Sequence, residues 1–137
     1  MKILILGASY GSLLGVKIAL AGHDVTLVCL PQEASLINTR GAIVRMPVKG
    51  REGLVEVNSR ALKGKLAAVG TDADPRAFDL VALAMQEPQY RSAGVRELLD
   101  AVALSGKPCM SIMNMPPLPY LARIQDVDRS ILLPDSK

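Results

Sequence analysis

Ile3-Leu4-Ile5-Leu6-Gly7-Ala8-Ser9-Tyr10-Gly11-Ser12 passes from an apolar run into a glycine turn, and then into an apolar helical segment that ends near Gly22. Strand, glycine turn and helix in this order form the opening unit of dinucleotide-binding α/β domains. The unit matters chemically because a helix amino terminus presents backbone N–H groups without intrahelical partners, and these favour a phosphate. The loop departs from the full G-x-G-x-x-G pattern. Counted from Gly7, the second glycine position holds Ser9 and the third holds Ser12, while a glycine stands one place early at Gly11. Gly7 suits the tight turn and Gly11 a close approach of helix and strand. The middle glycine, which lets a pyrophosphate meet the backbone, is replaced by Ser9 or Tyr10.

Working outward, the first strand is expected over about Lys2 to Leu6. A helix from about Gly11 to Ala21 is apolar on most faces, through Leu13, Leu14, Val16, Ile18 and Leu20. Asp24 to Val28 reads as a fully buried parallel strand. Pro31 suits the first position of a helix that Gly41 ends. Ala42 to Met46 and Leu54 to Asn58 flank a turn, Lys49-Gly50-Arg51-Glu52-Gly53, and predict a hairpin. With Leu66 to Val69 as a third short strand, this stretch is expected to form an antiparallel excursion at the sheet edge. The α/β rhythm resumes with Asp79 to Ala84 as a buried strand. A helix is expected from about Gln89 to Leu104, a strand over Pro108 to Met113, and a short helix near Leu121 after Pro116-Pro117-Leu118-Pro119. The expectation is one domain, residues 1–137, in a Rossmann-like, doubly wound, mostly parallel α/β sheet with a small antiparallel insertion.

Composition limits the function. Of the 137 residues, 50% are hydrophobic and 3% aromatic, so the core is aliphatic. A net charge of +3 with scattered basic residues and few aromatics gives no basis for nucleic-acid binding. His23 is the only histidine, which excludes a histidine-based triad or a multi-histidine metal site. Cys29 and Cys109 lie far apart, without metal or redox spacing, and are expected as reduced, mostly buried thiols of a cytoplasmic protein. No apolar run reaches the 18 residues of a membrane span.

In an open parallel sheet, ligands bind beyond the carboxyl ends of the strands. Four segments qualify here: Gly7 to Ser12, Cys29 to Gln32, Ala84 to Gln89, and Asn114 to Pro117. In the first, N–H groups and the Ser12 hydroxyl could hold a phosphate, or the segment is a plain βα turn. In the second, a dinucleotide site usually has an acidic residue for a ribose 2′-OH, or an Arg for a 2′-phosphate. Cys29-Leu30-Pro31-Gln32 offers neither. Met85-Gln86-Glu87-Pro88-Gln89 is either a ligand-facing loop or a capped helix start. Asn114 offers a donor and an acceptor to a ribose or substrate, or forms a turn before Pro116.

With these loops in place, the chain resembles the N-terminal domain of ketopantoate reductase and its 6-phosphogluconate-dehydrogenase-like relatives. The resemblance lies in Gly11-Ser12-Leu13-Leu14-Gly15, in Leu20-Ala21-Gly22-His23-Asp24-Val25-Thr26-Leu27-Val28, and in Phe78-Asp79-Leu80-Val81-Ala82-Leu83-Ala84. Gln89 falls where the family has a Gln, and Asn114 where it has an Asn. The resemblance spans about Met1 to Ala122 and is most specific in the first thirty residues. It implies an NADP-dependent reduction of a 2-keto acid, with the Asn beside nicotinamide and substrate. The catalytic Lys and an acidic substrate ligand belong, in the family, to a helical C-terminal domain. Departures are specific: the glycine loop is one residue short and lacks its middle glycine. Leu30 replaces an Arg, Gln86 a Lys and Met115 a Gly, and the sequence given ends at Lys137, before any helical domain. A short-chain dehydrogenase would need a Lys four residues after its Tyr. Gly94 follows Tyr90 there, and Ile124 follows Tyr120, so that reading fails.

These readings give two expectations of function. In the first, the chain is the NAD(P)-binding domain of a ketopantoate-reductase-like oxidoreductase, inactive alone. Gly7, Ser9, Tyr10, Gly11 and Ser12 then hold the pyrophosphate, and Gln86, Gln89 and Asn114 line the nicotinamide and ribose. The cofactor is NADP or NAD, and a small keto acid is the substrate where a C-terminal domain is present. In the second, the chain is a degenerate Rossmann module without cofactor that serves self-association. A nucleoside- or methyl-donor-binding domain is a third reading, but the acidic end of the second strand that such domains use is missing.

Overall fold

A computed structural model of the chain describes residues 1–112. The expected helix near Leu121, and Asn114 itself, lie outside the described residues. Five parallel strands form one sheet: β1 (Lys2–Leu6), β2 (Asp24–Val28), β5 (Leu66–Val69), β6 (Leu80–Leu83) and β7 (Cys109–Ser111). Their order is β5-β2-β1-β6-β7. The chain leaves β1 towards β2 and β5, then crosses back to β6 and β7, so the direction of winding reverses between β1 and β6. A separate antiparallel pair, β3 (Ile43–Pro47) and β4 (Leu54–Asn58), completes a Rossmann-like α/β fold.

The sheet is buried on both faces along β1, which is why Ile3 to Leu6 reads as a continuous apolar run. In β2, Asp24 is exposed and Thr26 half-buried, rather than fully buried as expected. Alternation sends Ile3, Ile5, Val25 and Leu27 to one face, under α1 (Ala8–Leu20) and α2 (Pro31–Arg40). Leu4, Leu6, Val28 and Val81 face the other way, where Leu98 and Val102 of α3 (Val95–Ser105) cover them. Helix α1 differs from expectation in how it packs. Its buried residues are Gly11, Gly15, Val16 and Ala19, whereas Leu13 and Leu20 are exposed. The sheet lies too close for large side chains. A Cβ on Gly15 would stand 3.2 Å from Leu66 and 3.3 Å from Val25.

Three boundaries depart from the sequence reading. Helix α1 starts at Ala8 rather than near Gly11, because Gly7 alone absorbs the turn, with φ 102°. Leu66–Val69 is not part of the antiparallel excursion. It pairs in parallel with β2, and β3 and β4 form their own ribbon, packed through Val44, Met46 and Val57 around Val16 of α1. The expected helix from Gln89 is a 3-10 turn, Glu87–Arg91, followed by Gly94 in the left-handed region (φ 76°) and then α3. Pro88 is compatible with a first turn, but a left-handed residue at Gly94 cannot continue an α-helix.

At the β5 edge, Asn38 of α2 takes the place of a missing strand. Its Nδ2 donates to the Ala68 carbonyl (2.7 Å), and the Ala68 N–H donates back to its Oδ1 (2.9 Å). Replacing Asn38 with Ala removes both bonds and should cost about 1–2 kcal/mol in a urea unfolding titration. An unchanged midpoint would show that water satisfies the edge equally well. Among the described residues, no helix is long and apolar enough to cross a membrane.

Candidate functional site

The site is assembled where β1, β2 and β6 end. Gly7 holds it together. Its N–H donates to the Val28 carbonyl (2.9 Å), and the Ala84 N–H donates to the Leu6 carbonyl (2.8 Å). A Cβ on Gly7 would stand 2.7 Å from the Ala84 oxygen and 3.0 Å from Met85 Cγ. The glycine turn and the loop after β6 are therefore in direct contact. Gly11 presses α1 onto β1, since a Cβ there would approach Ile5 to 2.9 Å.

Ser9 and Tyr10 lie in the first turn of α1, both exposed. No side chain caps this helix and no acidic residue occupies its first turn. The N–H groups of Ala8, Ser9 and Tyr10 thus point outward at the positive end of the helix dipole. The tyrosine ring, 62% exposed, stands beside them. The Ser12 hydroxyl donates to the Ala8 carbonyl, so its proton would have to turn away from Ala8 to reach an anion.

Gln86 and Gln89 are exposed and engaged with each other. The Gln86 N–H donates to Gln89 Oε1 (2.8 Å), and the Gln89 N–H donates to the Gln86 carbonyl (3.0 Å). This is a capped turn, with Gln86 and Gln89 closing it reciprocally. The first and third candidate loops are brought together, with the second beside them through Val28. Asn114 lies outside the described residues.

One further residue reaches this end of the sheet from outside the four loops. Glu33, on the first turn of α2, accepts the Leu30 N–H at Oε2 (3.2 Å), which draws its carboxylate back to the end of β2. The signal was legible: a Glu three residues after a helix N-cap caps it from behind. Gln32 is exposed in the same turn.

The cysteines correct a second expectation. Cys29 is half-buried, but Cys109 is exposed on β7. Burial, with Glu33 nearby, pushes the Cys29 thiol up to about 11. Partial desolvation of its thiol by neighbouring atoms also raises Cys109, although the residue as a whole is exposed. Because only the thiolate attacks, alkylation of Cys29 by iodoacetamide should be slow at pH 8 and still rising at pH 10. Peptide mapping across pH checks this; a rate that levels off by pH 9 contradicts it. Among the described residues no group of His, Cys, Asp or Glu could hold a metal ion.

No protein-family model matches the chain, and no curated protein matches it by sequence. Among solved structures it is similar to the crystal structure of a "putative ketopantoate reductase" from Ralstonia solanacearum MolK2, with a TM-score of 0.55. The identity is 22%, over 89% of this chain and 34% of that one. This chain therefore covers about a third of that protein's length, and likeness at this identity shows the Rossmann-like fold.

Proposed function

We propose that this chain is the dinucleotide-binding part of an oxidoreductase of the ketopantoate reductase kind, acting on a 2-keto acid. The observation that carries the reading is the uncapped α1 terminus, held by Gly7 at the point where the winding of the sheet reverses. Gly7 and Gly11 set the height of that terminus over the strands. The N–H groups of Ala8, Ser9 and Tyr10, with Ser12 behind them, meet the pyrophosphate. Gln86, Gln89 and Asn114 border the nicotinamide and its ribose. The nicotinamide, when bound, supplies the hydride. The keto acid and its proton donor belong to a helical domain of the kind the family resemblance implies.

Glu33 bears on the choice of cofactor. A carboxylate at the end of β2 accepts from ribose hydroxyls and repels a 2′-phosphate. NADH is therefore favoured over the NADPH that the family resemblance implies. In a thermal-shift titration the melting temperature should rise with NADH concentration. Glu33→Arg should tighten NADPH roughly tenfold relative to NADH, a difference of about 1.4 kcal/mol. No shift with either nucleotide at millimolar concentration would remove the reading for this chain.

The alternative, a module that associates without cofactor, draws on a different observation. Leu104 is 88% exposed, and Met110 and Ile112 are exposed near the β7 edge. Sedimentation showing concentration-dependent dimers, with no nucleotide-induced shift, would favour it.

A further inference from the structure

At the opposite end of the sheet from the glycine turn lies a cavity of about 300 Å³. It is lined by Lys2, Asp24, Thr26, Lys65, Ala67 and Phe78, among others. Register explains its place. Lys2 pairs with Asp24 and Thr26 with Ala67, so these residues stand on the face that α3 covers. Helix α3, however, sits over Leu4, Leu6 and Val81, towards β6. The connection from β5 to β6 holds only a 3-10 turn, Pro75–Ala77, where a doubly wound sheet commonly has a helix. The face of β2 and β5 beside Phe78 is thereby left open.

The lining is amphipathic in a particular way. Phe78, Ala67 and Ala77 make an apolar wall, and Thr26 adds a hydroxyl. The Asp24 carboxylate accepts the Lys65 backbone N–H (3.2 Å), and Asp79 accepts that of Lys2 (2.7 Å). Each acid is thus directed to a main-chain donor. Neither lysine ammonium has a carboxylate within ion-pair distance among the described residues. Two lysines against one aspartate leave the lining net positive.

We propose that this cavity binds a small carboxylate with a flat apolar body, the ring against Phe78 and Ala67 and the carboxylate between Lys2 and Lys65. The volume lies at the lower end of small-molecule sites and suits one or two rings. A charge-assisted contact from each ammonium sets the preference for an anion.

Indole-3-acetate is a suitable probe, because the protein has no tryptophan and the indole emission belongs to the ligand alone. Its titration with the 137-residue chain should saturate. The uncharged indole-3-acetamide should bind roughly tenfold more weakly. The double variant Lys2→Gln/Lys65→Gln should weaken indole-3-acetate by a similar factor, and its fold is protected because neither ammonium has an ion-pair partner. Ala67→Leu, which fills the wall, should abolish saturation. Saturating NADH should leave the titration unchanged, since the glycine turn lies at the other end of β1. The proposal is overturned by a linear titration, by equal binding of acid and amide, by unchanged binding in both variants, or by displacement with NADH.

Discussion

Replacing Gly7 with Ala is expected to destabilise the chain by about 4 kcal/mol, a large part of the total stability of a domain this size. Two independent costs meet at this position. The backbone stands at φ 102° and ψ 120°, a region that residues with a Cβ rarely enter. The added carbon would also stand 2.7 Å from the Ala84 oxygen, which is fixed because the Ala84 N–H is bonded to Leu6. Relief requires parting β1 from the loop after β6, and with it the α1 terminus from its place over the strands. Gly53→Ala separates the two costs. Gly53 has φ 74° with nothing within 4 Å of its missing Cβ, so only backbone strain remains, about 1 kcal/mol. Urea midpoints of the two variants give the comparison. Equal losses would show that the contact with Ala84 relaxes freely.

Gly64→Ala should cost about 3 kcal/mol, for a different reason. Gly64 is buried between backbones. Its N–H donates to the Ala19 carbonyl (2.9 Å) at the end of α1. A Cβ would overlap the His23 carbonyl oxygen and stand 2.9 Å from that of Ala19. Both obstacles are main-chain atoms of the α1–β2 turn, so no side chain can step aside. Separating the segments would also break the Gly64–Ala19 bond. The measurement is again the urea midpoint, with far-UV circular dichroism to confirm a folded baseline. A loss under 1 kcal/mol would mean that the segment before β5 shifts without resistance.

The sequence and the structure agree best where one local rule decides the outcome. Strand β1 is apolar on both faces from Ile3 to Leu6, and only a sheet covered on both sides makes use of that. Pro31 and Gly41 bound α2 as their backbone chemistry requires. Residues 66–69 were harder to place, because Leu-Ala-Ala-Val carries no mark of whether its neighbour runs parallel or antiparallel. Tertiary contact decided it: β2 had an open edge, and the β3–β4 ribbon could close on itself. The helix expected from Gln89 starts instead at Val95, because the apolar spacing begins only there and Gly94 in the left-handed region separates it from the preceding turn. At the candidate site, Gly7 and Gly11 were legible through their roles in turn and packing. Glu33 is not legible from the residues directly following β2, because a capping side chain reaches back from the next turn. The large faces of α1 were misjudged for a related reason. Hydrophobicity marks what can be buried, and Gly11, Gly15 and Ala19 show that proximity selects what is.

The Asn38 amide has a consequence for growth. It seals one border of the sheet by occupying the Ala68 N–H and carbonyl, the groups through which another strand would add. Among the described residues the β5 border is therefore closed to a further strand at Ala68. On the other side of β6, the three residues of β7 are exposed. Cutting the Asn38 side chain would free the Ala68 N–H and carbonyl and open the β5 border to strand addition by a second copy.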